Sequence, residues 1–175
     1  MQKLIRQQGI NFLELEKLIK DPQVLEFVTL SLEEYAPFTF FTLPASSSGR
    51  YHPEYALGIG GLLKHTKATM VIAQELFPLY PQIEKSSDII MAALALHDIG
   101  KPDLLHPLKV KEFIEPLGNK YPDYSKIISL IESHMGRWDL DGKLPRPQTP
   151  EQQFVHLCDY LASRKAIAQI NLILS

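Results

Sequence analysis

The segment IIMAALALHDIGK, residues 89–101, runs through eight apolar residues and then reaches His97, Asp98, Gly100 and Lys101. A helix that is apolar on every side is a buried helix, so this one is expected to carry a histidine and an aspartate out of the core at its end. Adjacent helical residues point about 100° apart. His97 and Asp98 can therefore share one metal only at the mouth of a bundle, where other helices supply the remaining groups. Imidazole with carboxylate suits a borderline divalent ion such as Mn, Fe, Co, Ni or Zn, with Mg also admitted, better than it suits Ca.

The flanking sequence is helical as well. Asn11 to Lys20 reads as a helix, with Asn11 as N-cap and Glu14 completing a capping box. Asp21-Pro22, an N-cap followed by proline at N1, starts a second that runs to about Tyr35. Ala36 to Tyr55 holds Pro37, Pro44, Pro53 and Ser46-Ser47-Ser48-Gly49 and reads as a long irregular loop, a kind that is usually functional or disordered. Further helices are expected from about Gly60 to Phe77, from Ser87 or Asp88 to His97, around Leu108 to Leu117 and from Tyr124 to His134. A last one runs from the N-cap Thr149, with Pro150 at N1 and Gln152 at N3, to about Ile170. No segment has the pattern of a strand or repeat. The expected fold is all-α: one helical bundle over residues 1–175, with N-terminal helices in 1–35 packed on a motif-bearing core at 51–164.

Composition agrees. A length of 175 residues suits one domain, and 45% hydrophobic with 22% charged residues is ordinary for a globular protein. The net charge of -2 argues against a dedicated nucleic-acid scaffold while leaving room for a local basic groove. One cysteine, Cys158, excludes an intrachain disulfide and points to a reducing compartment. The amphipathic, charge-interrupted first twenty residues do not read as a signal peptide, and no apolar stretch reaches the ~18 residues of a transmembrane helix. A cytoplasmic location away from the membrane is expected.

Other polar residues need a reason for their places. His65 lies one turn into its helix, after Gly60-Gly61, where missing side chains let backbone or substrate come close. Asp159 sits among Phe154, Val155, Leu157 and Leu161 and needs a partner, because an unpaired buried charge is costly; a metal and a salt bridge to Arg164 or Lys101 both satisfy that need. Lys101, three residues after Asp98, shares its side of the turn. His156 reads as packing and His106, beside Pro107, as an ordinary loop residue. Gly58 to Gly61 is no dinucleotide fingerprint, since no strand precedes it.

Four segments in this order, GGLLKHT (60–66), LALHDIGK (94–101), IESHMGRW (131–138) and FVHLCDYLASR (154–164), resemble the HD-domain phosphohydrolases, a superfamily defined by the spaced set His, His-Asp, Asp. The stretch PASSSGRYHPEYALGIGGLLKHT (44–66) is similar to the HD module of bacterial 3′–5′ exoribonucleases and of stand-alone phage-type relatives, where a loop with a Tyr-His pair precedes the histidine helix. In the exoribonucleases a nucleic-acid-binding OB-fold precedes that module; none is expected in this sequence, which weakens the carry-over of RNA as substrate.

The resemblance implies an all-α HD fold with His65, His97, Asp98 and Asp159 as metal ligands. Met135 stands where those relatives commonly have the second of two adjacent histidines. One tightly held metal is therefore expected, and a second stays open, with His134 and either His106 or His156 to hold it. The metal would lower the pKa of a bound water and neutralise charge on a phosphoryl oxygen. Asp98, Lys101 and His134 are the implied catalytic residues: Lys101 assists the phosphate or the water, and His134 serves as second-metal ligand, general acid or helix cap. Arg50, Tyr51, His52 and Arg164 are the candidates for gripping phosphate or base. The implied reaction is hydrolysis of a phosphate monoester or phosphodiester, with a nucleotide or short oligonucleotide as substrate. A second reading is a catalytically silent HD module that binds a nucleotide and regulates a partner. The ordered motif makes one geometric demand: side-chain tips of His65, His97, Asp98 and Asp159 scattered by more than roughly 10 Å, far beyond ~2 Å ligand bonds, would end this reading.

Overall fold

The apolar run folds as the buried helix it predicts. The computed structural model describes residues 12–165 apart from positions 47, 119 and 140. Among them are α1 (Phe12–Leu18), α2 (Pro22–Leu30), α3 (Phe38–Thr42), α4 (Gly61–Leu76), α5 (Ser87–Leu96), α6 (His106–Ile114), α7 (Tyr124–Ser133) and α8 (Pro150–Ala162), joined by turns and short 3₁₀ segments, and no strand. Every residue from Ile90 to Leu96 is buried, because α2, α4, α7 and α8 all pack on α5. Each large side chain sealed in this way contributes about 1.5–3 kcal/mol. The fold is all-α, as expected.

The helix ends follow local chemistry. The Asp21 carboxylate accepts the N–H groups of Gln23 (2.8 Å) and Val24 (3.2 Å). Thr149 Oγ1 accepts Gln152 N–H at 3.2 Å while Gln152 Oε1 accepts Thr149 N–H at 3.1 Å, a complete capping box. The Asp88 carboxylate, in the first turn of α5, accepts the N–H groups of Lys20 (3.0 Å) and Asp21 (2.7 Å) and so ties the α1–α2 junction to the central helix.

Several boundaries differ from expectation. The stretch 36–55 is not irregular throughout: it contains α3, whose Phe40 and Phe41 are buried. Five residues between prolines are too few to show a period, so the burial of two phenylalanines supplies what the pattern could not. Helix α2 reaches Tyr35 only through a π-turn at Ser31–Tyr35. Helix α6 starts at His106, two residues before the expected start. Helix α8 ends at Ala162, where Lys165 N–H turns instead to the Tyr51 carbonyl at 2.9 Å and Tyr55 Oη donates to the Ala162 carbonyl at 3.0 Å. The loop before α4 is thus strapped to the end of α8. The caps expected at Asn11 and Glu14, and the continuation toward Ile170, lie outside the described residues. No described helix is long and apolar enough to cross a membrane.

Gly60, at φ +72°, donates its N–H to the Thr42 carbonyl at 3.0 Å and turns the chain into α4, five residues before His65. Gly136 has a different duty. A Cβ there would overlap the Pro145 carbonyl, which lies against it as the 137–148 loop crosses below His134. Gly136→Ala is expected to cost roughly 1–3 kcal/mol through overpacking, read as a lower urea midpoint; an unchanged midpoint would show that the loop gives way freely.

Candidate metal centre

Five helices deliver six polar side chains to one place. Helix α4 brings His65, the end of α5 brings His97 and Asp98, the start of α6 brings His106, the end of α7 brings His134, and α8 brings Asp159. All six are buried, none more than 6% exposed. His65 Nε2 lies 2.9 Å from Asp159 Oδ1 and 3.7 Å from Asp98 Oδ2. His97 Nε2 lies 3.3 Å from Asp98 Oδ2 and 3.9 Å from Asp159 Oδ1. On the far side of Asp98, its Oδ1 meets His106 Nε2 at 2.9 Å and His134 Nε2 at 3.8 Å. The tips expected to converge do so, and Asp98 stands between two histidine pairs.

The histidines are oriented from behind. His97, His106 and His134 each direct Nδ1 to the carbonyl three residues earlier, at Leu94 (2.7 Å), Asp103 (3.0 Å) and Ile131 (2.6 Å). This places the Nδ1 proton on the backbone side and turns an Nε2 lone pair toward the carboxylates, the arrangement that prepares imidazole for a metal. All three Nε2 atoms are buried without a hydrogen-bond partner. A lone pair facing a carboxylate oxygen is repelled unless a proton or cation lies between them. His65, His97 and Asp159 form one group, and His97, Asp98 and His134 another, in which the ligand atoms all lie within 4.8 Å of one another. The donor set of imidazole nitrogens and carboxylate oxygens fits a divalent transition ion.

The charges respond to this crowding. Burial opposes ionisation of Asp98, but His97 and then Lys101 outweigh it and hold its carboxyl well below the usual range. Burial likewise opposes the charge of Asp159, and the hydrogen bond and charge of His65 overcome it. Burial pushes His97 down, yet Asp98 carries it above the ordinary imidazole value. His134 has no such close partner: burial, reinforced by His97, depresses it to about 3, so its ring stays neutral near pH 7. Burial and the neighbouring His65 and Lys101 lower His52 to about 4.

The other candidates fall into two groups. Lys101 Nζ donates to Asp98 Oδ2 at 2.8 Å and to the Ala45 carbonyl at 3.2 Å, so it is a salt-bridge partner at the edge of the centre. His52 lays its ring edge-on to His65, centroids 5.2 Å apart. Arg50, Tyr51 and Arg164 gather outside the cluster: both guanidinium groups lie over the Tyr51 ring, at 5.2 and 5.4 Å. Asp159 takes His65 as its partner, in place of the Arg164 or Lys101 pairing that its sequence left open. His156 donates from Nδ1 to the His134 carbonyl at 2.7 Å and packs on Trp138, in keeping with a packing role. His106 overturns the reading as an ordinary loop residue. Its signal was Pro107: a proline is tolerated in the first turn of a helix, and the short turn from Asp98 brings His106, the first helical residue, back over that carboxylate.

These residues lie in a segment with known kin. Residues 62–164 match the HD domain family, and the chain belongs to it. The chain is 32% identical over 167 residues to the 3′–5′ exoribonuclease YhaM of Oceanobacillus iheyensis, across 83% of this chain and 50% of that protein. It therefore spans about half the length of the curated relative it matches. No solved structure matches it.

His106→Ala should remove the closest partner of Asp98 Oδ1 and weaken divalent-metal binding by roughly 10- to 100-fold. Calorimetric titration of chelator-treated protein with Mn or Zn measures this, and unchanged affinity would make His106 a passive neighbour.

Proposed function

We propose that the protein is a metal-dependent phosphohydrolase acting on a phosphate monoester or phosphodiester, with a nucleotide or short oligonucleotide as substrate. The observation that carries this is the set of buried, unpartnered Nε2 atoms of His97, His106 and His134 facing two ionised carboxylates. A packed core has no use for three orphaned ring nitrogens, whereas one divalent ion satisfies that of His97 and a second ion satisfies those of His134 and His106. The HD family match and the exoribonuclease likeness support the same class.

In this reading His65, His97, Asp98 and Asp159 hold the metal, which supplies hydroxide at neutral pH and neutralises charge on the phosphoryl group. His134, neutral and with its lone pair inward, receives a proton from the attacking side or holds a second ion with His106. Lys101, already paired with Asp98 and with a side chain 20% exposed, keeps its ammonium at the mouth of the centre, where it stabilises developing negative charge. His52 edges the entrance. Arg50, Tyr51 and Arg164 bind the substrate from outside. The whole of residues 1–175 acts as one domain in this proposal, and the single cysteine suits a cytoplasmic enzyme.

The test is a metal-by-substrate screen on purified protein. It pairs Mn, Fe, Co, Ni, Zn and Mg with bis(p-nitrophenyl) phosphate, nucleoside mono- and triphosphates, cyclic nucleotides, and short RNA and DNA. Hydrolysis with at least one metal is expected. Asp98→Ala should abolish bound metal and turnover while its circular dichroism stays helical, since Asp98 lies past the end of α5 and outside the apolar run that packs the core. A variant that keeps full metal content and turnover refutes the assignment, and a wild type that binds metal without hydrolysing any of these esters favours a silent nucleotide-binding module.

A further inference from the structure

We propose that Tyr51, Arg164, Tyr160 and Trp138 form a stacking track beside the metal centre that seats successive bases of a single-stranded oligonucleotide. The proposal rests on the phosphohydrolase reading for what happens at the end of the track, but the track itself stands on separate residues.

These side chains form a continuous row. The Arg164 guanidinium lies 5.4 Å from the Tyr51 ring centre and 4.1 Å from that of Tyr160. Tyr160 in turn stacks on Trp138, with centroids 6.1 Å apart and planes 23° apart, and Trp138 meets His156 at 4.6 Å. The row follows from local geometry: His156 and Tyr160 lie four residues apart on one face of α8, and Arg164, just past the end of that helix, folds back so that its Nε donates to the Tyr160 carbonyl at 3.4 Å. Tyr51 joins from the opposite side because Lys165 N–H holds its carbonyl at 2.9 Å.

The row also belongs to the centre. Tyr51 precedes His52, whose ring lies against His65; Tyr160 follows Asp159; and His156 is bonded to the His134 carbonyl. Tyr160 is thus one covalent link and His156 one hydrogen bond from a residue of the cluster, and Tyr51 reaches it through His52. Yet the row is open to solvent, with Tyr51 52% and Tyr160 39% exposed. Ring planes left in water beside a catalytic cluster are costly as packing and useful as a binding surface.

The chemistry is that of a single strand. Alternating aromatic planes and guanidinium groups offer stacking to any base and charge to the linking phosphates. The steps between neighbours along the row, 5.4, 4.1 and 6.1 Å, make it about as long as three or four bases stacked at roughly 3.4 Å. A lone mononucleotide would fill only part of it, and a duplex has no free base faces to offer. The acids of the adjoining loop are already engaged: Asp139 accepts the N–H groups of Asp141 and Leu144, and Asp141 pairs with Lys143 at 3.2 Å.

Trp138 is the chain's single tryptophan, so intrinsic fluorescence reports on the track directly. The metal-loaded protein is titrated with phosphorothioate oligothymidylates of one to six nucleotides, which resist hydrolysis. An abasic strand, inorganic phosphate and a duplex serve as comparisons. The expected result is quenching by single strands only, with affinity that rises up to three or four nucleotides and then levels. Tyr160→Ala should weaken binding of the four-nucleotide strand about tenfold or more, with Tyr160→Phe restoring it; fluorescence anisotropy of end-labelled strands gives an independent reading, and circular dichroism confirms that each variant is folded. Equal quenching by the abasic strand, affinity that is flat beyond one nucleotide, or normal binding by Tyr160→Ala would overturn the track. Loss of the track with hydrolysis of bis(p-nitrophenyl) phosphate intact leaves the phosphohydrolase reading standing. Length-dependent quenching by a protein that hydrolyses nothing removes that reading and leaves the track.

Discussion

Two carboxylates, Asp98 and Asp159, are almost wholly removed from water and share the same two histidine nitrogens, those of His65 and His97. Placing two negative charges in a low-dielectric interior is costly unless positive charge and hydrogen bonds surround them. That single demand explains much of the architecture. Lys101 bends back to Asp98, His97 takes on extra proton affinity, and the ends of α4, α5, α6 and α7 all turn their polar residues toward one point of α8. The remaining unpaired Nε2 atoms show where protein groups alone stop meeting the demand.

The fold meets it through repetition of one local device. Three histidines at helix termini or turns spend their Nδ1 protons on the carbonyl three residues earlier, where the backbone hydrogen-bond ladder of a helix begins or ends. The same bond satisfies a terminal carbonyl, fixes the ring and frees Nε2 for the centre. Burying α5 on all sides makes this precise, because a central helix with no freedom to shift places His97 and Asp98 where the surrounding helices can reach them. Outside the cluster the same helix α8 that supplies Asp159 turns Tyr160 toward solvent, and Arg164 follows just past its end. One element thereby links the reacting groups to the surface beside them.

Much of the centre was legible residue by residue. The apolar run before His97-Asp98 announced a buried helix with polar groups at its end, and Thr149-Pro150 and Asp21-Pro22 marked starts that the structure keeps. Asp159 was recognisable as a residue in need of a partner, though not which partner, since Arg164, Lys101 and a histidine all satisfy a carboxylate and only proximity selects among them. His106 was misread because beside a proline it looked like any loop histidine; its value lies in the turn of chain that returns it to Asp98. The α3 helix escaped notice because its reason for existing, the burial of Phe40 and Phe41 against other helices, is not local.

The sequence by itself determined that this protein is helical, that its central helix ends in a histidine and an aspartate, and that residues spaced along the chain in the order of the HD family belong to one site. These features depend on near neighbours: apolar period, capping residues, and the order of ligand types. Only the tertiary structure decided that Asp98 is shared between two histidine pairs, that burial holds His134 toward its neutral form facing inward, and that Tyr51 joins Arg164, Tyr160 and Trp138 from a loop distant in the chain. Those facts depend on distances between segments that the chain keeps apart, and burial, charge and stacking act through such distances and not through sequence separation.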